Sequence, residues 1–313
     1  MEWEKEAEDI LDHIAVPPMM AQFVRMDAER RALQKGQSKV TAAHARATMK
    51  GYERTFGCEV TDVIRRMGRG EDVGLPDAFF EDDDGELFKI DLCPAKYGAC
   101  TAEKREMMLA VLVPLREKLK QLNATSIVIE KARTPLMSHH VFRIAIIGCP
   151  NCCMSPYFND FGIICQLRPT VKSEGCTQCQ ACVTSCSEGA ITLQNGSPVI
   201  DYERCVLCGG CEKECKQEVI FTKEKGYKVV VGGTGSRHPR IAQTVAQWTD
   251  ATGVTAILEK ALTAYHEFPV EKKEIPFHEM VCRLGVDVLR LTGARKPGTA
   301  ATTESAEKRN IFQ

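Results

Sequence analysis

Cys176-Thr177-Gln178-Cys179-Gln180-Ala181-Cys182-Val183-Thr184-Ser185-Cys186 and Cys205-Val206-Leu207-Cys208-Gly209-Gly210-Cys211-Glu212-Lys213-Glu214-Cys215 are two copies of one spacing, C-x2-C-x2-C-x3-C. Three closely spaced thiolates wrap three corners of an iron-sulfur cubane, and the fourth of each run reaches the other cluster. The spacing thus assigns Cys176, Cys179, Cys182 and Cys215 to one 4Fe-4S cluster, and Cys205, Cys208, Cys211 and Cys186 to another. Ala190-Ile191 and Val219-Ile220 follow at equivalent offsets, so the unit is an internal repeat. The alternative is a pair of zinc sites, but zinc takes two separated pairs with four ligands each, and a triplet with a distant fourth suits it poorly. Ser187 and Lys216 stand where a proline often follows the fourth cysteine, a place where hydrogen bonding near sulfur can differ without loss of a ligand.

These eight belong to sixteen cysteines in a chain of 313 residues. A chain this long can bury a substantial core and needs no covalent staples to stay folded. Met1 to Ile14 is laced with Glu and Asp and has no apolar signal region. Apolar stretches such as Ile144 to Gly148 and Lys228 to Gly232 fall far short of the roughly 20 residues a spanning helix needs. The expectation is a cytoplasmic protein without membrane attachment, where thiols stay reduced and cysteines read as metal-binding or redox-active. Lys plus Arg number 41 against 42 for Asp plus Glu, which gives no electrostatic case for a nucleic-acid partner.

Apolar spacing predicts helices over residues 4–14, Met19 to Lys35 and Thr41 to Tyr52, the first ended by Pro17-Pro18. Gly57 to Asp91, with the acidic run Glu81-Asp82-Asp83-Asp84, reads as a solvated linker. Thr101 to Leu122 reads as a long helix with a core stripe of Met107, Met108, Val111, Leu112, Leu115, Leu119 and Leu122, interrupted by Pro114. Strands are expected at Ser126 to Ile129, Val141 to Ile147 and Tyr227 to Val231, and helices at Pro239 to Trp248, Thr255 to Tyr265 and Pro276 to Leu291. The fold class expected is α+β.

A second set of cysteines carries a family resemblance. Cys93 and Cys100 are followed, after a helix and a strand, by Gly148-Cys149-Pro150-Asn151-Cys152-Cys153, then Asp160-Phe161-Gly162 and Gly232-Gly233-Thr234-Gly235-Ser236-Arg237-His238-Pro239. Over about residues 90 to 290 the chain resembles the sirohaem-containing sulfite and nitrite reductases, with the double repeat placed like the inserted ferredoxin domain of dissimilatory and anaerobic sulfite reductase subunits. The resemblance implies a third 4Fe-4S cluster on Cys93, Cys100, Cys149 and Cys153, with Cys153 also bridging to the sirohaem iron. It implies an iron-sulfur oxidoreductase that passes electrons through the ferredoxin pair toward sulfite or nitrite. Trp3 to about Arg46 resembles a helical domain of a dark-operative protochlorophyllide reductase; it can equally be a generic docking module.

The chain departs from that family in three ways. The first pair is spaced x6 where x5 is usual, so that its loop must bulge or Cys93 does not ligate. No match is visible to the half-domain that supplies arginines to the anion and the haem carboxylates, and one repeat is present where complete enzymes have two. A homodimer or a partner redox subunit would have to complete the pocket. The alternative is a haem-free electron-transfer subunit serving a partner enzyme; in both readings an electron-donor protein is required. Candidate anion groups are Lys131, Arg133, His139, His140, Arg143 and Arg240, with Arg237 and His238 foremost because flanking glycines admit a ligand and a helix is expected to start there. Cys58, Cys152, Cys165 and Cys282 read as small buried hydrophobes, Cys152 also as a substitute for Cys153. The expected organisation is a helical domain over 1–52, a reductase-like domain over 53–168 and 226–292, a ferredoxin insert over 169–225 and a disordered tail over 293–313.

Overall fold

The computed structural model describes residues 1–14, 21–56, 58–74, 76–79, 83, 85–97, 100–132, 136, 140–270 and 274–291. Pro17-Pro18 and the expected tail lie outside the described residues.

The amino-terminal part runs β1 (Glu2–Trp3), α1 (Lys5–Asp12), α2 (Ala21–Gln34), β2 (Lys39–Val40), α3 (Ala42–Phe56) and α4 (Cys58–Gly68). Ala7, Leu11 and Ile14 meet Val24, Ala28, Ala32 and Ala45 in a small core of their own, where alanines let the helices approach closely. The start of α3 is fixed by His44, whose Nδ1 accepts the Thr41 N–H at 3.1 Å, reaching back as the third residue of a capping box does.

The expected linker from Gly57 to Asp91 is corrected by α4 and by Asp83. Asp83 Oδ1 lies 3.2 Å from Arg116 Nε, with the two side chains 11% and 8% exposed. Arg116 projects inward from a helix and its Nη1 also donates to the Ala78 carbonyl at 3.0 Å, and pairing with this buried guanidinium draws one carboxylate of the run out of solvent. Glu81, Asp82 and Asp84 lie outside the described residues.

The main body then runs β3 (Phe88–Leu92), α5 (Ala102–Gln121), α6 (Ala124–Lys131), β4 (Phe142–Ile147), β5 (Phe161–Val171), α7 (Ala181–Ser185), β6 (Ile191–Gln194), β7 (Ser197–Ile200), α8 (Gly210–Glu214), β8 (Ile220–Val231), β9 (Gln243–Thr249), α9 (Ala251–Glu267) and α10 (Phe277–Leu284). One sheet has the order β3-β4-β5-β8-β9. Its first three strands are parallel and its last two antiparallel, which makes the protein α+β.

The expected Met and Leu stripe of α5 joins Ile144, Ile146, Phe161 and Ile163 in one core, and Tyr227 Oη donates to the Met107 carbonyl at 2.8 Å. Pro114 sits inside α5 without ending it.

Three further expectations change. Ser126 to Ile129 is helical, within α6, because Ala124, Ile127, Val128 and Lys131 bury at helical spacing and override β preference. Pro239 to Trp248 is not a helix but leads into β9, which pairs with the otherwise open edge of β8, Val229 opposite Ala246. The last helix stops at Leu284 because Gly285 takes φ 74°, and a short 3-10 turn over Val286–Leu289 follows.

Two glycines set how closely the layers approach. A Cβ on Gly162 would lie 2.7 Å from the Pro156 carbonyl oxygen, so the β4–β5 connection crosses tight over the sheet face opposite α5. One on Gly226 would lie 2.5 Å from the Trp248 ring. Gly226→Ala is expected to destabilise the fold by about 1–3 kcal/mol through overpacking. Thermal unfolding followed by Trp248 fluorescence checks this, and an unchanged midpoint would show that the ring can move aside.

Candidate metal centres

The double repeat leaves the sheet between β5 and β8, which pair directly at Val171 and Ile220. Its two halves share backbone geometry as well as spacing. Gln178 and Gln180 take φ 57° and 60°, and their counterparts Leu207 and Gly209 take 61° and 70°. Gly189 and Glu218, each three residues after a fourth cysteine, take 56° and 51°. These left-handed residues turn N–H groups inward: Gln178 N–H reaches Cys176 Sγ at 3.4 Å and Gly210 N–H reaches Cys208 Sγ at 3.5 Å. N–H donors aimed at sulfur stabilise thiolates.

The fourth cysteines cross over as the spacing implied. Cys176, Cys179, Cys182 and Cys215 line one cavity of about 200 Å³. Cys205 lies within the field of Cys208 and Cys186, and Cys211 within that of Cys208 and Cys205. Burial pushes the Cys211 thiol up to about 12 and raises Cys205. Such thiols ionise readily only when a metal takes the proton's place. Among the described residues no three His, Cys, Asp or Glu side chains converge on a single ion. A cubane holds its thiolates apart by its own body, so thiol sets of this kind suit a cluster better than one zinc ion.

The second set gathers at the carboxyl ends of adjacent parallel strands. Cys93 follows β3 and Cys149 follows β4, and the Gly148 N–H donates to Cys93 Sγ at 3.2 Å. Cys100 lies within the field of Cys149, and Cys93 within that of both Cys149 and Cys153. A 3-10 turn, Pro94–Tyr97, directly follows Cys93, and Cys93 stays within the field of Cys149 and Cys153 despite the extra residue before Cys100. Burial raises Cys93, whereas Cys149 is held below the ordinary thiol range, first by the Cys100 thiol and also by the Lys104 ammonium. Cys93 and Cys149 are buried and Cys153 faces solvent.

Cys165 is buried, as expected, and lies within the field of Cys93 and Cys149. Cys152 is half-buried, with φ 50°. Cys282 corrects its expectation: it is exposed, because α10 buries Phe277, Met280 and Val281 on its other side. The Cys58 side chain, Arg133 and His139 lie outside the described residues. Lys104 was not singled out by spacing, and its one signal is a lysine in the first turn of a helix, the wrong end for a cation.

The basic candidates do not join the thiols. Arg237 and His238 line a cavity of about 990 Å³ with Arg143 and Asp160 at the amino end of β4. Cys149 lies beyond the other end of that strand, a span of about 20 Å at the usual rise per residue. Lys131 is consumed structurally, its ammonium donating to the His266 and Phe268 carbonyls at 2.7 and 2.8 Å. His140 lies 3.1 Å from Glu274, and Arg240 lies 3.9 Å from Glu279. No helix starts at Pro239, so the helix-terminus argument for Arg237 and His238 falls away.

Residues 127–292 match the nitrite and sulphite reductase 4Fe-4S domain, and the chain belongs to that family. It is 31% identical over 144 residues to the coenzyme F420-dependent sulfite reductase of Methanocaldococcus jannaschii, across 46% of this chain and 23% of that protein. It is 28% identical over 149 residues to one subunit of the anaerobic sulfite reductase of Salmonella typhimurium, across 46% of this chain and 42% of that protein. The chain thus spans less than half the length of either relative. Among solved structures, dissimilatory sulfite reductase I aligns at 18% identity and a TM-score of 0.38, over 55% of this chain and 46% of that one.

Asp160 gives the large cavity a pH signature. Burial raises its carboxyl from 3.8 to about 7, although Oδ2 accepts the Arg143 N–H at 2.9 Å. The folded chain therefore keeps a proton that the unfolded chain releases, and stability falls as pH rises from about 4 to about 7. Asp160→Asn retains an acceptor and is expected to gain stability relative to the parent across that window and level off above it. Unfolding midpoints of both proteins across the window check this, and a pH-independent difference would rule it out.

Proposed function

We propose that this chain is an oxidoreductase subunit that holds three 4Fe-4S clusters and serves the reduction of sulfite or nitrite. The observation that carries the reading is the placement of two thiol sets along β5. Leu167 N–H donates to the Leu207 carbonyl at 2.8 Å, inside the Cys205-Cys208 loop. Cys165, two residues earlier, is buried in one core with Cys93 and lies within the field of Cys93 and Cys149. Two residues of strand span about 7 Å, so one strand fixes the separation of both sets.

In this reading Cys176, Cys179, Cys182 and Cys215 hold the first cluster, Cys205, Cys208, Cys211 and Cys186 the second, and Cys93, Cys100, Cys149 and Cys153 the third. Bound clusters supply one-electron carriers for a multi-electron reduction. The chain's own residues hold the thiolates, exclude water and aim N–H donors at sulfur. The domain boundaries at 52, 168, 225 and 292 follow from the same reading, with the insert running from β5 to β8. An electron-donor protein would meet the first set, whose Cys179 is exposed.

Sirohaem finds a partial fit. Cys153 is the outward-facing thiol of the third set and would be the residue to hold the haem iron. Lys228, beside Cys152, and Gln166, whose Oε1 is buried without a hydrogen-bond partner, offer polar groups on one sheet face. A macrocycle rich in carboxylates needs more cations than these, and Arg237 and His238 stand at the other end of the sheet. We therefore assign the haem to a boundary with a second copy or a partner subunit, and read Arg237 and His238 as a separate anion-binding pair. The distance between the large cavity and Cys153 favours a second reading, a haem-free subunit that delivers electrons to a partner enzyme.

Cofactor analysis separates the two. Protein expressed with ample sirohaem and purified anaerobically is expected to contain iron, acid-labile sulfide, a chlorin-type absorption band and acid-acetone-extractable tetrapyrrole. Clusters without tetrapyrrole would exclude a haem held by this chain or its homodimer and leave the haem-free reading or a haem bound only with the partner subunit.

A further inference from the structure

Lys104 is 8% exposed, in the first turn of α5, where Thr101 Oγ1 accepts its backbone N–H at 3.5 Å. Two costs meet there. A buried ammonium loses its hydration and persists only when paired. A cation in a first turn also opposes the positive end of the helix dipole. Among the described residues no carboxylate pairs with it, and the neighbouring Glu103 is engaged by Lys225 at 2.8 Å. Its surroundings are sulfur: the ammonium lies within the field of Cys149, Cys100 and Cys165. Gly148 permits this, since a Cβ there would already lie 3.1 Å from Ala95 Cβ and 3.5 Å from Lys104 Cβ. The end of β4 and the start of α5 thus close around one cation and the thiol set.

We infer that Lys104 is a positioning residue for redox tuning: acting through Cys149, its buried charge offsets the negative charge of the third cluster and raises that cluster's reduction potential. The inference rests on the reading that Cys93, Cys100, Cys149 and Cys153 hold a cluster. A four-thiolate cluster gains a further unit of negative charge on reduction, so a fixed cation beside one thiolate favours the reduced form. Hydrogen bonds to sulfur and net charge are among the levers that set such potentials. The ferredoxin-type sets lie on the inserted repeat, away from α5, and should not respond.

The test uses the full chain, purified anaerobically with its clusters, as the parent and as Lys104→Met, Lys104→Arg and Cys149→Ala. Iron and sulfide are counted, and paramagnetic resonance is followed against applied potential. Lys104→Met is expected to keep full iron while one cluster signal moves to lower potential. Its reduced-to-oxidised ratio at a fixed potential should fall about tenfold, which is about 59 mV for a one-electron couple. Lys104→Arg should restore most of the shift. Full iron with every midpoint unmoved in Lys104→Met would overturn the inference, as would an equal shift in Lys104→Arg. Loss of one cluster in Lys104→Met that Lys104→Arg restores supports it, whereas loss in both would reduce Lys104 to a packing role and overturn it. Cys149→Ala tests the underlying reading separately: iron should fall while the ferredoxin signals persist. Unchanged iron would remove the third cluster, whatever Lys104 does.

Discussion

The contact on which the arrangement depends is between two leucines that carry no chemistry. Leu167 N–H donates to the Leu207 carbonyl at 2.8 Å, and a Cβ on Gly209 would fall 2.7 Å from Leu167 Cδ1. The inserted repeat is therefore seated against β5 by backbone pairing and close packing. Neighbouring contacts keep it there: Tyr202 Oη donates to the Pro169 carbonyl at 2.7 Å, and the Arg168 guanidinium lies 4.1 Å from the centre of the Tyr202 ring. Arg168 also reaches Glu224 on β8, tying insert and sheet at the root of the excursion.

Because the seat is a strand of a packed sheet, its position is as rigid as the core. Phe161, Ile163 and Cys165 point toward the α5 and α9 side and are fully buried. Their alternation continues into Leu167, so the residue that lies within the field of Cys93 and Cys149 and the residue that touches the Cys205 loop share one face. A one-residue slip of β5 would reverse both contacts at once. The β-bulge between Arg168 and Pro169 comes just after this stretch, where the chain begins to leave the sheet.

Much of this was legible because thiols announce themselves by spacing. The repeat in Cys176 to Cys215 predicted which fourth cysteine sits with which triplet, and the left-handed positions recur with the same offsets. The second set was legible only through its resemblance, since its four cysteines are spread over about 60 residues and meet because β3 and β4 are parallel neighbours. What failed were readings that depended on local propensity. Ile127, Val128 and Ile129 look like strand and are helix, while β9 looks like helix and is strand, because pairing with β8 outweighs what nine or ten residues prefer alone. Arg237 and His238 were drawn toward the haem by their motif, but strand direction puts their loop at the opposite end of the sheet from Cys149.

That polarity bears on what the chain can do by itself. Parallel β3, β4 and β5 deliver the second thiol set to one end and open the large cavity at the other, so thiolates and most of the candidate cations cannot share a pocket. Among the described residues, Lys104 and Lys228 are cations whose fields reach these thiols, Lys104 at Cys149 and Lys228 at Cys152. Lys228 Nζ lies 3.4 Å from Tyr157 Oη. Among the described residues a large anion beside these thiols would meet two cations, and the strand direction that sends Arg143 and Arg237 to the far end of the sheet is what leaves this end short of positive charge.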